Sequence, residues 1–172
     1  IIMRALEDHF PEWIMDHWHL SNPDETIQRH ALYGLSKSPR IQAMHVMLDT
    51  MDHSSMDDVR VESISRMVYD HREWLDDLLD RFDKADEYRR SKLVKVFSHR
   101  IDYLLVKQKY EKDPRVKEIL SMMIGQKRVE PLIDFLNRNR DTELEDTIVA
   151  MIKPSVSGSI DTVETFEHYW KS

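Results

Sequence analysis

Five segments of this chain open alike, each with a polar or acidic residue able to cap a helix followed by apolar residues at helical spacing. They are DETIQRHALYGL from Asp24, DDVRVESISRMV from Asp57, DEYRRSKLVKVF from Asp86, DPRVKEILSMMI from Asp113 and TELEDTIVAMI from Thr142. Successive openings lie 33, 29, 27 and 29 residues apart. A second helical stretch follows each: SPRIQAMHVMLDTM, HREWLDDLLDRF, IDYLLVKQKY, RVEPLIDFLNRN and DTVETFEHYWKS. A period in this range marks a tandem array of helical hairpins. One hairpin cannot bury its own apolar stripe, so neighbours must stack and share a continuous core.

The second helices show the stripe clearly. At about 100° per residue, Trp74, Leu75, Leu78, Leu79 and Phe82 fall on one side, while Arg72, Glu73, Asp76, Asp77 and Asp80 fall on the other. Met44, Met47, Leu48 and Met51 oppose Gln42, His45 and Asp49 in the same way, and Val129, Leu132, Ile133 and Leu136 oppose Glu130, Asp134 and Arg138. Each second helix is thus expected to bury one face and present one.

Composition agrees. Only three glycines occur in 172 residues, which leaves few hairpin turns and favours an all-α chain. Asn22-Pro23, Ser38-Pro39 and Asp113-Pro114 each set a capping side chain before a proline suited to a first helical position, marking three helix starts. Asn22 with Glu25 and Asp161 with Glu164 have capping-box spacing, while Gly125 and Pro154 read as stops. The expectation is a right-handed α-solenoid of about five stacked antiparallel hairpins in one domain. Residues 1–21 would form N-terminal capping helices, 22–152 the repeats and 153–172 a C-terminal capping segment.

The segments DDVRVES and DPRVKEIL, with an Asp turn leading into a first helix, and VEPLIDFLNRN as a second helix resemble HEAT repeats, particularly the short kind of bacterial proteins. The likeness covers residues 22–152. It implies a noncatalytic scaffold or protein-interaction module that uses the concave, second-helix face. The third unit lacks a clear proline and has a strongly basic second helix. Tetratricopeptide and other hairpin repeats are structural alternatives, but the Gly-Tyr and Ala positions of the former are not evident.

Charge divides the chain. Residues 1–86 hold 18 acids and 9 bases, residues 87–172 hold 14 and 16. The net charge of −7 argues against nonspecific binding along a phosphate backbone. The segment 89–117 is nonetheless basic, with Arg89, Arg90, Lys92, Lys95, Lys107 and Lys109 as candidates for an anionic partner and tyrosines interleaved among them. It supports an alternative reading, nucleic-acid binding or base repair like that of DNA-alkylation-repeat glycosylases, which are similar solenoids using Trp and Asp. Trp74 points inward on the helical wheel, away from Asp76 and Asp77. Self-association of the acidic half with the basic half is a further arrangement, and a helper role like that of phycobilin lyases a third.

His45, Asp49 and His53 are spaced by four, as a metal-bridging set would be, but solvated His–Asp pairing accounts for them equally and no metal or cofactor is expected. Phosphate-loop, nucleophile-elbow and zincin motifs are missing, and no cysteine is present, so no enzyme activity is expected. No apolar run approaches the ~18 residues of a membrane span. A cytoplasmic location is expected from cysteine usage, and the opening Ile1-Ile2-Met3 reads as a piece of a longer protein.

Overall fold

Capping side chains decide where these helices begin. In the computed structural model, which describes residues 20–155, Asp113 accepts the N–H of Arg115 at 2.9 Å and Pro114 takes the first helical position, as expected. The other two proline-marked starts are displaced. Asn22 instead closes a local turn by accepting the N–H of Asp24 at 3.0 Å, and Asp24 caps the helix by accepting from Thr26 at 2.8 Å. Ser38 accepts from Arg40 at 3.3 Å, and the helix begins at Ile41. Asn and Ser next to proline hydrogen-bond two residues on, so the turn wraps the proline and the helix starts after it.

Up to Val96 the chain forms one compact unit, and from Phe97 a second. The first contains α1 (Glu25–Leu35), α2 (Ile41–Asp49), α3 (Met56–Asp70), a short 3-10 turn (Arg72–Trp74), α4 (Leu75–Lys84) and most of α5 (Glu87–Ser98). The second contains α6 (Ile101–Tyr110), α7 (Pro114–Gly125), α8 (Glu130–Asn139) and α9 (Thr142–Ser155). Every described element is helical, and no strand occurs among the described residues. Gly125 ends α7 without adopting positive φ; Lys127 (φ 57°) takes the left-handed position beyond it. Pro154 lies within α9, which is helical through Ser155, so the helix does not end ahead of it. The helix expected from Asp161 and nearly all of the N-terminal cap lie outside the described residues.

In the first unit α1 packs on α2 and on α3. In the second, α6 packs on α7 and α8, and α7 on α9. Helices therefore touch both the next helix and the next but one. Long-range side-chain bonds have the same period: Glu25–Ser55, Gln28–Arg60, His45–Asp77, Asp49–Arg81, Asp57–Tyr88, Asp58–Lys92 and Lys109–Asp141 join residues 30 to 34 apart.

The buried stripes fill the cores as the wheel angles require. Met44, Met47, Leu48, Leu75, Leu78, Leu79 and Phe82 are at most 4% exposed in the first unit, and Leu132, Ile133 and Leu136 are buried in the second. One polar node sits among them. Asp57 and Arg60, both fully buried, pair at 3.0 Å. Arg60 also donates to the Leu20 carbonyl at 2.5 Å and to Thr50 Oγ1 at 3.4 Å, while Asp57 accepts the N–H of His53 at 2.9 Å and the hydroxyl of Tyr88 at 2.7 Å. This ties α3 to α5, to the loop after α2 and to the chain before α1, and satisfies both buried charges.

Candidate partner-binding face

The outward sides of α2 and α4 carry most of the residues picked out by the wheel. Gln42, Asp49, Arg72, Glu73, Asp76 and Asp80 are exposed, and His45 and Asp77 half-buried. The structure joins four side chains across the two helices. His45 Nε2 lies 2.7 Å from Asp77 Oδ2, and Arg81 reaches both Asp49 (3.2 Å) and Asp77 (3.5 Å). The expected acidic patch is therefore an alternating strip in which Arg81 neutralises two of the carboxylates. Arg81 was legible only as an i,i+4 partner of Asp77; its bond to Asp49 depends on the fold. Glu73 is held below the usual carboxylate range, first by its own backbone N–H and then by His71, whose ring lies 3.2 Å away.

Between α2, α4 and the first turns of α5 runs an open groove of about 350 Å³. Leu48, Ala85 and Leu93 form its apolar wall. Its charged rim comprises Asp49, Asp77 and Asp80 with Arg81, Lys84 and Arg89. None of the last three was assigned to this face from sequence: Arg81 and Lys84 follow the acidic run on α4 itself, and Arg89 reaches the groove only through the packing of α5.

In the second unit Glu130, Asp134 and Arg138 are exposed on α8, and Arg138 approaches Asp134 at 4.0 Å. They present a charged outer side of their own helix.

The basic stretch is largely engaged within the chain. Arg89 reaches Asp86 at 3.3 Å, and Lys92 reaches Asp58 at 2.9 Å, with Lys95 at 3.9 Å from the same carboxylate. Arg90 caps the end of α4, donating to the carbonyls of Ala85 (2.9 Å) and Asp83 (2.6 Å) beside the Phe82 ring. Lys107 pairs with Glu111 at 3.0 Å. Lys109 and Asp141 form a close ion pair whose hydrogen bond raises the lysine and lowers the carboxyl from their ordinary values.

The spaced trio His45, Asp49 and His53 is dispersed. His45 turns to Asp77 and Asp49 to Arg81, while His53 lies past the helix end at φ 65° with its ring stacked on Tyr88 at 3.7 Å. Trp74 is 8% exposed and stacks on His71 at 4.1 Å, pointing inward as the wheel required. Among the described residues no helix is long and apolar enough to cross a membrane. Comparison with known protein families, with characterised proteins and with solved structures yields no match to this chain.

Proposed function

We propose that this chain is a HEAT-like α-solenoid segment that serves as a noncatalytic protein-interaction or scaffold module, its second helices forming the contact surface. Contacts between alternate helices within each unit support the stacking, as does the recurrence of interhelical bonds at the repeat interval. The observation that carries the binding role is the strip on α2 and α4: charged, outward-facing and lying over a groove with an apolar wall. Side chains already held by neighbours are preorganised, which lowers the ordering cost of association. That the function is borne by this surface is an analogy from fold.

The test is affinity capture with the wild-type chain and with Asp76→Lys, Asp77→Lys, Asp80→Lys together. A specific partner held by the first and lost by the second is the expected result; undiminished capture by the triple variant would count against it. The second reading, nucleic-acid binding through residues 89–117, is disfavoured by the ion pairs of Lys92, Lys107 and Lys109, which leave less positive charge for phosphates. It predicts retention on DNA or RNA at low salt that Lys92→Glu with Lys95→Glu abolishes, and no retention at all would remove it.

A further inference from the structure

We infer that the outward face of α6 is a self-association site, through which two copies of this chain pair α6 against α6, antiparallel about a two-fold axis. This surface is separate from the strip on α2 and α4, and the inference does not rest on the partner proposed for that strip.

The outward sides of α2, α4 and α8 are polar or charged, whereas that of α6 is apolar. Four large apolar or aromatic side chains are exposed among the described residues: Tyr33 lies on α1, Tyr69 on α3, and Val106 (54% exposed) and Tyr110 (76%) both on α6. At about 100° per residue, Val106, Tyr110 and the half-buried Tyr103 fall within about 60° of one another, opposite the buried Ile101, Leu104 and Leu105. Single exposed apolar residues are ordinary, but a helix with apolar residues on both sides has a second surface to cover.

The order of charges along this face specifies the occupant. Asp102, near the start of α6, and Lys109, near its end, project on the same flank, within about 20° of each other. A second α6 laid antiparallel presents the same sequence reversed. Asp102 then faces Lys109 of the second copy, Lys109 faces Asp102 of the second copy, and Tyr103 meets Tyr110. Both pairings are centred within one residue of Val106, which falls on the axis against its counterpart. Each contact thus occurs twice, as an isologous interface requires. A parallel arrangement would set Asp102 on Asp102 and Lys109 on Lys109, and it would align the two helix dipoles, which the antiparallel one opposes favourably. Within the chain Asp102 already meets Arg100 at 3.1 Å and Lys109 meets Asp141, yet a carboxylate accepts, and an ammonium donates, more than one hydrogen bond. The opposite flank is neutral, with Lys107 paired to Glu111 at 3.0 Å. A helix of 10 residues, about 15 Å long, buries less than about 1,200 Å² in such a pairing, so the dimer is weak and reversible.

Sedimentation equilibrium of the 172-residue chain, from micromolar to millimolar concentration, tests the site. The mass should rise reversibly from monomer toward dimer and no further, because a two-fold interface closes. Tyr110→Glu, at a residue exposed in the single chain, should melt like the wild type and weaken association at least tenfold. The decisive variants are Asp102→Lys and Lys109→Asp. Each alone should associate at least tenfold more weakly than the wild type, since like charges then meet twice. Mixed with each other they should regain the wild-type association, since every facing pair is again opposite in sign. A folding defect in either variant could not produce that recovery. A chain that stays monomeric throughout, growth beyond the dimer, indifference to Tyr110→Glu, or no gain on mixing would each overturn the proposal. Self-association abolished by Asp76→Lys, Asp77→Lys, Asp80→Lys together but kept by Tyr110→Glu would also overturn it, in favour of the acidic half of one copy meeting the basic half of the next.

Discussion

At Asp57 a single carboxylate organises several parts of the first unit, and its removal should be felt accordingly. Asp57→Asn takes from Arg60 its one buried counter-charge, leaving only the half-exposed Asp52 carboxylate 3.9 Å away, and loss of one partner from a buried pair costs about 3 to 5 kcal/mol. Urea unfolding should show a drop of that order, with much of it recovered when Arg60→Met accompanies Asp57→Leu; a drop under about 1 kcal/mol would mean that the pair is not a stability determinant. Tyr88 reports on the same node. Desolvation, helped by its hydrogen bond to Asp57, pushes the Tyr88 phenol up to about 12. A raised phenol favours the folded state while it is protonated, so its contribution is intact below the unfolded value near 10 and disappears as pH climbs toward 12. Stability should therefore fall between pH 10 and 12 in the wild type and fall less in Tyr88→Phe, as read by chemical denaturation at stepped pH. The Asp57–Arg60 spacing was visible in DDVRVES, but only as a helix opening. Burial turned it into a network, and burial depends on residues as distant as Leu20 and Tyr88.

Helix α4 separates the two kinds of contribution that an element makes. Its apolar side is buried to completion, and Phe82→Ala should cost about 3 to 5 kcal/mol through lost contacts and the cavity left behind. Its polar side faces water, so Arg81→Ala should cost about 0.2 to 1 kcal/mol despite breaking two ion pairs. Thermal or urea unfolding of the two variants checks the contrast, and equal losses would contradict it. The inward and outward sides of α2, α4 and α8 were readable residue by residue, because a 3.6-residue period leaves little choice about which side meets the core. Helix starts were less readable. Asn22 and Ser38 were expected to cap and instead form turns around the following proline, a local competition between two hydrogen bonds of similar strength. Left-handed positions were also opaque. With so few glycines, His53, Lys112, Lys127 and Arg140 take them, and nothing in a charged residue announces a positive φ.

On the scale of the whole molecule, the proposed stacking makes a claim about dimensions. A compact globule of 172 residues has a radius of gyration of about 16 Å. A solenoid of about five hairpins is longer than it is wide, so small-angle scattering from a monomeric sample should give a clearly larger value; one at or below about 16 Å would refute it. The helical character of the chain, the order of its nine described helices and the division of three second helices into buried and exposed sides were settled by local periodicity and by the scarcity of glycine. Those properties depend on neighbours within a turn or two, which is all that a linear pattern encodes directly. Which charges meet across 32 residues, the gathering of Arg89 with Lys84 beside α2, and the burial of Asp57 against Arg60 were decided by tertiary structure alone. The physical reason is reach: an ion pair or a groove wall needs atoms within a few ångströms, and only the packing of one helix on another brings residues from different repeats that close.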